Sequence, residues 1–231
     1  MHYSKTELLR KMSIDPWFAA LPLAERRTML ALAQPLVLQA GDVIYRKGDA
    51  AVGFYGVADG RLRVFATGED GREGILGMLE AGNWFGEAAM IDGSARPHTA
   101  VALEDMLVLH IAPVDFHSLM ARSAFAQGVA KLLCARLRSL FVLVEDAMLR
   151  TTRVRVARRI VALSRGDTTP GRLARTSVQV SHEDLAMMLG VTRQTLAKEL
   201  KHLVRAEVLA LGYGRIDILS PESLLREAAL A

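Results

Sequence analysis

The sequence predicts an α+β fold in three parts: an N-terminal antiparallel β jelly-roll barrel, a long helix, and a C-terminal winged helix–turn–helix. Three observations support this prediction. First, twelve glycines divide 36–111 into short pieces rich in Val, Ile, Phe and Tyr. Second, a heptad pattern starts near residue 123. Third, 181–203 has the pattern of two helices around a tight turn. The predicted boundaries are 1–122 for the barrel, 123–150 for the long helix and 151–231 for the last part.

Composition excludes several classes of protein. The 231 residues are 51% hydrophobic and 23% charged, which is typical of a globular chain and not of a disordered one. The lone cysteine, Cys134, excludes an internal disulfide and a four-cysteine iron–sulfur cluster, indicates a reducing compartment, and is interpreted as a buried structural residue. We find no signal-peptide core and no run of about eighteen apolar residues, so we expect a cytoplasmic protein without a membrane partner.

The net charge of +4 is concentrated in the C-terminal third. Residues 1–149 hold 15 Lys and Arg against 17 Asp and Glu, a balance of −2, whereas 150–231 hold 14 against 8, a balance of +6. This asymmetry favours a polyanionic partner for the last part of the chain, and the alternative is a basic face that is only solvated.

Short strands separated by glycine turns indicate the barrel. The segment 68–71 (GEDG) is predicted to be a hairpin turn, because glycine adopts positive φ at little cost. Helical spacing of apolar residues flanks the strands, over 21–36 and over 113–120, where a proline begins the second helix.

A heptad seam follows the predicted long helix. Apolar residues alternate in steps of four and three from Ala126 to Thr151, and 129–165 contains neither glycine nor proline, which allows one helix or two with a bend. A turn cluster at 166–171 follows. We predict that a second copy of the chain buries the seam, with packing on the barrel as the alternative. The predicted dimer contacts are Leu133, Leu137, Leu140, Val144 and Ala147.

The segment 181–203 has the most specific pattern. Ser181 is a suitable N-cap for a first helix, with Asp184 as its acidic partner, and Thr192 caps a second helix after the turn at Gly190. Apolar residues at spacings of three and four form the inner edges of both helices. These residues are Leu185, Ala186, Leu189, Leu196, Leu200 and Leu203.

The outer face of the second helix is suited to reading DNA, and an ordinary helical hairpin with a solvated basic face is the alternative. Arg193 can pair with guanine, Gln194 with adenine, and Lys198 lies one turn further along. Thr195, Ser181 and Lys201 are better suited to phosphate contacts, which fix register but not sequence. The predicted DNA-binding residues are Arg193, Gln194, Lys198, Thr195, Ser181, Thr192 and Lys201. Two strands, 208–211 and 215–219, are predicted to form a wing around the glycines at 212 and 214.

With these motifs, residues 14–220 resemble the CRP/FNR superfamily of bacterial transcription regulators. The matching N-terminal segments are 38–49 (LQAGDVIYRKGD), 82–90 (GNWFGEAAM) and 96–105 (RPHTAVALED). The resemblance implies a sensory barrel like those that bind cyclic nucleotides, a dimerisation helix and a DNA-binding domain. It also implies that 85–99 corresponds to the cassette that holds the phosphate in relatives that bind cyclic AMP.

Gly86, Glu87 and Arg96 match that cassette, but two features depart from it. Pro97 stands where those relatives have Ser or Thr, so a hydroxyl and a backbone N–H are missing from the phosphate site. The positions that hydrogen-bond adenine in those relatives fall on Leu140 and Phe141 of the long helix, and both are apolar. We therefore expect an effector other than cyclic AMP, and Glu87 paired with Arg96 as a structural ion pair is an alternative. The candidate pocket residues are Gly86, Glu87, Ala88, Arg96, Pro97, Leu140 and Phe141.

The cofactor is unknown from sequence. An iron–sulfur cluster is not expected. Haem is not expected either. Its axial ligand would have to come from His98, His110 or His117, and a lone histidine is more often a surface or core residue. An unidentified small ligand and a pocket filled by side chains both stay open.

The leading hypothesis is a homodimeric transcription regulator that binds double-stranded DNA at an inverted repeat. The second is a regulatory module that binds cyclic AMP, against which 181–203 argues. We expect no enzyme, because the acid–base neighbours, 182–183 and Glu87 with His98, lack a catalytic arrangement. Activation would need contact with RNA polymerase, so activation and repression both stay open.

Overall fold

The computed structural model describes residues 3–168 and 174–230, which fall into two compact units. The first unit comprises 1–66 and 76–137, and the second comprises 67–75 and 138–231. Three helices open the first unit: α1 (Lys5–Met12), α2 (Pro16–Ala20) and α3 (Leu23–Leu32).

Helix α3 is shorter than the predicted helical segment 21–36. It ends at Leu32, and Leu36 lies in strand β1 (Gln34–Leu38). Pro35 explains the difference, because proline has no backbone N–H for a helix and disfavours the helical conformation of the residue before it.

Eight strands form the predicted barrel as two antiparallel four-stranded sheets, ordered β1-β8-β3-β6 and β2-β7-β4-β5. The hairpin turn at 68–71 is confirmed, since Gly71 has φ +79° and its N–H donates to the carbonyl of Gly68 over 3.0 Å. The remaining elements of the barrel are β2 (Val43–Tyr45), β3 (Phe54–Asp59), β4 (Arg61–Thr67), β5 (Glu73–Glu80), β6 (Trp84–Phe85), α4 (Glu87–Asp92), β7 (Thr99–Ala102) and β8 (Met106–Ile111).

The central strands β3 and β8 are buried on both faces. Phe54 and Leu109 point into an apolar cluster with Phe116 of the helical layer, whereas Val57 and Val108 point into the cluster between the two sheets. Because successive side chains of a strand point to opposite faces, β3 and β8 contribute to both clusters.

Helix α5 (Pro113–Met120) coincides with the predicted helix. The glycine-free run 129–165 forms two helices with a bend, α6 (Ser123–Leu149) and α7 (Thr152–Ser164). At the bend, Thr151 has extended backbone (φ −64°, ψ 157°), which ends the helical path between α6 and α7.

The interpretation of Cys134 as a buried residue is wrong for the single chain, in which Cys134 is exposed. The face of α6 that packs on the barrel contains Phe125, Val129 and Leu132, all at most 2% exposed. Cys134 follows Leu132 by two residues, about 200° around the helix, and therefore points away from that core.

The rest of the second unit is a winged helix–turn–helix. Its sheet has the order β10-β11-β9, so the predicted two-stranded wing gains a third strand. Of the predicted turn cluster 166–171, residues 169–171 lie outside the described residues. The elements are β9 (Ser177–Gln179), α8 (His182–Leu189), α9 (Arg193–Arg205), β10 (Leu209–Gly212), β11 (Arg215–Ile218) and α10 (Pro221–Ala229).

Candidate effector and DNA-binding sites

Gly86, in the segment 85–99 that corresponds to the cassette, lies between β6 and α4. Gly86 has φ +90°, and a Cβ at this position would lie 2.8 Å from a terminal nitrogen of Arg96 and 3.3 Å from the carbonyl oxygen of Gly53. Positive φ and this close approach both require glycine here. The local backbone is therefore shaped around the side chain of Arg96.

Arg96 is held by the protein itself. Its side chain is among the fully buried ones, with Nη1 donating to the carbonyl of Gly86 over 2.8 Å and Nη2 to the carbonyl of Gly53 over 2.6 Å. The guanidinium lies 4.4 Å above the ring centroid of Tyr45, a cation–π contact. Its Nε is buried and has no hydrogen-bond partner among the described residues.

The alternative reading, an ion pair between Glu87 and Arg96, is not what the structure has. Glu87, which is 3% exposed, pairs with Arg136 of α6, and Arg136 also donates to the carbonyl of Trp84 over 2.6 Å. The second carboxylate oxygen of Glu87, Oε2, is buried without a hydrogen-bond partner in the described part of the chain. Sequence reasoning gave Arg136 no role, since its partner lies 49 residues earlier in the chain.

Tyr45 and His98 form a polar pair beside Arg96. The Tyr45 hydroxyl lies 3.2 Å from Nε2 of His98, and the two ring centroids are 5.9 Å apart. Burial lowers the pKa of His98, so the neutral imidazole is favoured, and burial raises the pKa of the Tyr45 hydroxyl. The sequence placed Tyr45 in a strand but gave no sign that its ring lies under the cassette arginine.

The other predicted pocket residues are exposed. Ala88 and Pro97 lie at the surface of the first unit. Leu140 and Phe141 belong to the second unit, where they are 54% and 63% exposed. Among the described residues, no group of three or more His, Cys, Asp or Glu side chains is placed to hold a metal ion, and no helix is long and apolar enough to cross a membrane.

The predicted seam is largely open in the single chain. Leu137, Leu140 and Val144 are 51%, 54% and 55% exposed, and Ala147 is also exposed. Leu133 is half-buried and packs against the barrel cluster. The seam therefore lies beside the face of α6 that packs on the barrel, and most of its residues are about half exposed or more in the described chain.

The helix–turn–helix follows the sequence prediction closely. The hydroxyl of Ser181 accepts from the N–H of Asp184 over 2.9 Å and donates to its carboxylate over 2.7 Å. Thr192 accepts from the N–H of Thr195 over 3.1 Å, and Gly190 has φ +63° in the turn. The six predicted apolar residues of the inner edges are all buried.

The predicted reading face of α9 is open to solvent. Arg193, Gln194 and Lys198 are exposed, and so is Lys201 one turn further along. Ser181 is half-buried and its hydroxyl is engaged as the cap of α8, so this residue offers less to a phosphate than the sequence predicted. The geometry presents a polar helix face on a rigid apolar support, which is what major-groove recognition requires.

A jelly-roll barrel with a buried Arg–Glu cassette, followed in the same chain by a winged helix–turn–helix, defines a class of DNA-binding regulator with a nucleotide-binding type of barrel. The cyclic nucleotide-binding domain family matches residues 35–123, and the Crp-like helix-turn-helix domain family matches 154–227. Both parts of the predicted fold therefore correspond to known domains.

Two relatives and two solved structures are similar over most of their length. The chain is 31% identical over 220 residues to the cyclic AMP receptor protein of Thermus thermophilus, covering 95% of this chain and 96% of that one. It is 31% identical over 194 residues to the regulator LdrP of Thermus thermophilus, covering 82% and 94%. A CRP-family transcriptional regulator from that species matches with TM-score 0.68 at 27% identity, covering 85% and 97%. FixK2 of Bradyrhizobium japonicum shares the fold with TM-score 0.76 at 22% identity, covering 86% and 98%.

The chain therefore belongs to the CRP/FNR family of transcription regulators. It is a DNA-binding regulator with a cyclic nucleotide-binding domain. The resemblance that the sequence showed at 38–49, 82–90, 96–105 and 181–203 is confirmed.

Proposed function

We propose that the protein is a homodimeric, sequence-specific regulator that binds an inverted repeat and responds to a small effector other than cyclic AMP. The observation that carries the dimer is the exposed seam of α6. Burying a leucine or valine side chain is worth roughly 1.5–3 kcal/mol, and Leu137, Leu140 and Val144 each leave about half of that unrealised in one chain. A second α6 with the same seam is complementary to it.

The dimer explains how DNA is read. Two copies of α9 related by a twofold axis enter successive major grooves roughly 34 Å apart, so the preferred site is an inverted repeat. Arg193 and Gln194 lie at the start of α9, where base edges are reached first. Lys198 and Lys201 add positive charge along the same exposed helix.

The state of Arg96 argues against cyclic AMP as the effector. A cyclic phosphate would have to take both terminal nitrogens from the carbonyls of Gly86 and Gly53. Hydrogen bonds to a charged group contribute roughly 1.5–3 kcal/mol each, so the exchange offers little net gain. Pro97 then supplies neither the hydroxyl nor the N–H that would support the phosphate.

Two buried atoms favour an effector of a different kind. Glu87 Oε2 and Arg96 Nε have no partner among the described residues, and leaving such groups unpaired is costly. A small polar molecule with one donor and one acceptor satisfies both atoms without displacing the backbone carbonyls. Cyclic AMP is the second candidate, because Glu87 and Arg96 stand where the cassette of such binders has them and a relative is named for this ligand.

Light scattering of the purified protein tests the dimer. We expect a mass twice that of the 25.2 kDa chain. Leu140→Glu places a charge in the seam and should give monomers. Val142→Glu is the matched control and should stay dimeric, because Val142 is 44% exposed on α6 but does not belong to the heptad series. Monomers in the unsubstituted protein, or dimers in both variants, would refute the seam as the interface.

Thermal unfolding with and without cyclic AMP tests the effector. A ligand at 100 times its Kd adds about 2.7 kcal/mol to the stability of the folded state, which shifts the melting curve measurably. We expect no shift with cyclic AMP at millimolar concentration. A clear shift would identify cyclic AMP as the effector and would show that the exchange at Arg96 is favourable after all.

A further inference from the structure

We propose that the ion pair between Asp146 and Arg158 latches the bend between α6 and α7, and that this latch sets the direction in which α9 is presented to DNA. The first half of the proposal stands on the second unit alone. The second half rests on the proposed function, because it requires α9 to be the DNA-reading helix.

Helix α7 is fixed to the helix–turn–helix by a set of arginines. Arg153 donates to the carboxylate of Glu199 in α9 over 3.2 Å, and Arg155 donates to the carbonyl of Leu189 at the end of α8 over 2.5 Å. Arg159 is 6% exposed and donates to a methionine sulfur in α8 over 3.3 Å. These contacts tie α7 to both helices of the DNA-binding motif, so the three helices move as one body.

One arginine of α7 instead contacts α6. Nε of Arg158 lies 2.8 Å from Oδ2 of Asp146, and the aspartate side chain is only 9% exposed. A carboxylate this buried loses its solvation, so removing its positive partner leaves an uncompensated charge. Asp146–Arg158 is therefore a strong constraint between α6 and the body that contains α9.

The pair can exist only when the chain is bent. Asp146 and Arg158 are twelve residues apart, which is about 18 Å along an unbroken α-helix. No glycine or proline occurs in 129–165, so the sequence itself allows an unbroken helix. Holding the bend at Thr151 requires contacts that the straight form lacks, and this ion pair is one.

A straight form would offer Asp146 a different partner. Arg150 lies four residues further along, where side chains on a helix meet, and its Nε is buried without a hydrogen-bond partner in the described chain. The second oxygen of Asp146, Oδ1, is also buried and unpartnered there. Arg150, whose backbone N–H already donates to the carbonyl of Asp146 over 3.1 Å, can therefore replace Arg158 as the partner of the Asp146 carboxylate when the chain straightens.

Distances between spin labels test the latch directly. Labels at Val142→Cys and Arg165→Cys, in a Cys134→Ser background, report on the two arms of the bend, and dilution with unlabelled protein isolates the distance within one chain. An unbroken helix places the two backbone positions about 34 Å apart, from 23 residues at 1.5 Å each. We expect one shorter distance for the otherwise unsubstituted protein.

Asp146→Asn and Arg158→Gln should each move part of the population to the long distance. Arg158→Lys keeps the charge and should restore the short one. Glu145→Gln is the matched control, because Glu145 is the neighbouring acid, its side chain is 54% exposed, and its contact to Arg150 is 3.9 Å long. Circular dichroism shows whether each variant is folded. If Asp146→Asn does not fold, the distances in Arg158→Lys and Arg158→Gln still test the latch.

DNA affinity gives the second readout, on a duplex enriched by selection with the unsubstituted protein. Both copies of α9 in the proposed dimer must be presented, so the apparent Kd should rise by the inverse square of the fraction of chains that stay bent. A half-straightened variant should bind about fourfold more weakly and a nine-tenths straightened one about 100-fold. Unchanged distances in Asp146→Asn and Arg158→Gln overturn the latch. Shifted distances with unchanged affinity overturn its role in presenting α9. Failure of the unsubstituted protein to enrich any duplex refutes the proposed function and leaves the distance test intact.

Discussion

Replacing Arg193 by alanine should remove sequence readout while leaving the fold intact. Arg193 is the first residue of α9, and its exposed side chain makes no ion pair or hydrogen bond with any described residue. Exposed substitutions of this kind change stability by no more than about 0.5 kcal/mol. The loss should therefore fall on the complex with DNA.

The size of the loss follows from the geometry of the contact. A bidentate arginine–guanine pair is worth roughly 1–3 kcal/mol of discrimination, and the proposed homodimer would present two copies of Arg193. The affinity for the preferred duplex should fall by about 2–6 kcal/mol in total, which is between roughly 30-fold and 10⁴-fold. Duplexes that already carry the wrong base pair at that position should lose much less.

Fluorescence anisotropy across a salt series distinguishes this role from a phosphate contact. Lys201→Ala is the comparison, because two lost phosphate contacts should weaken all duplexes alike and reduce the salt slope by about 2. Arg193→Ala should keep the slope nearly unchanged and relax specificity at one symmetric position. An equal loss on every duplex, together with a shallower slope, would refute the assignment of Arg193 as a base-reading residue.

Three further predictions concern stability, each measured by urea or thermal unfolding. Leu196→Ala, at a fully buried site that joins α9 to α8, should cost about 2–5 kcal/mol, and a loss below 1 kcal/mol would contradict tight packing there. Gly60→Ala should cost more than the roughly 1–2 kcal/mol of a left-handed residue, because φ is +84° and the new Cβ would lie 2.5 Å from Cβ of Met106. Burial lowers the pKa of His98 below its value in the unfolded chain. The stability that His98 contributes is therefore present above about pH 6.5 and is lost as the pH falls through the lower folded pKa. His98→Phe should flatten this acid dependence of stability, and an unchanged profile would refute the role of His98.

The helix–turn–helix could be predicted from sequence because its determinants are local. The caps at Ser181 and Thr192 act within three residues, and Gly190 sets the turn through its own φ. The buried edges repeat at the helical period, so they mark the inner face without knowledge of the partner. Each signal lies within the 23 residues of 181–203 and needs no tertiary information.

The cassette could be predicted only in outline, because its contacts join distant parts of the chain. The partner of Glu87 depends on where α6 passes the barrel. Glu87 pairs with Arg136, although Arg96 is closer to it in the sequence. The exposure of Cys134 likewise depends on which face of α6 packs on the barrel. A heptad pattern gives the period of a helix, but the same helix has a second buried face that the pattern does not show.

The contacts of Glu87 limit how a ligand in the barrel can act. A ligand changes a conformational equilibrium only through a difference in its affinity for the two states. Glu87 is bound to Arg136 of α6, and α6 also carries Asp146 of the bend. A ligand that donates to the free Oε2 in only one state would gain a hydrogen bond to a charged group, worth roughly 1.5–3 kcal/mol. Since 1.4 kcal/mol is a tenfold change in an equilibrium constant, a single hydrogen bond at Glu87 can shift the conformational equilibrium of one chain about tenfold, and that shift is the upper limit of its effect on DNA affinity per chain.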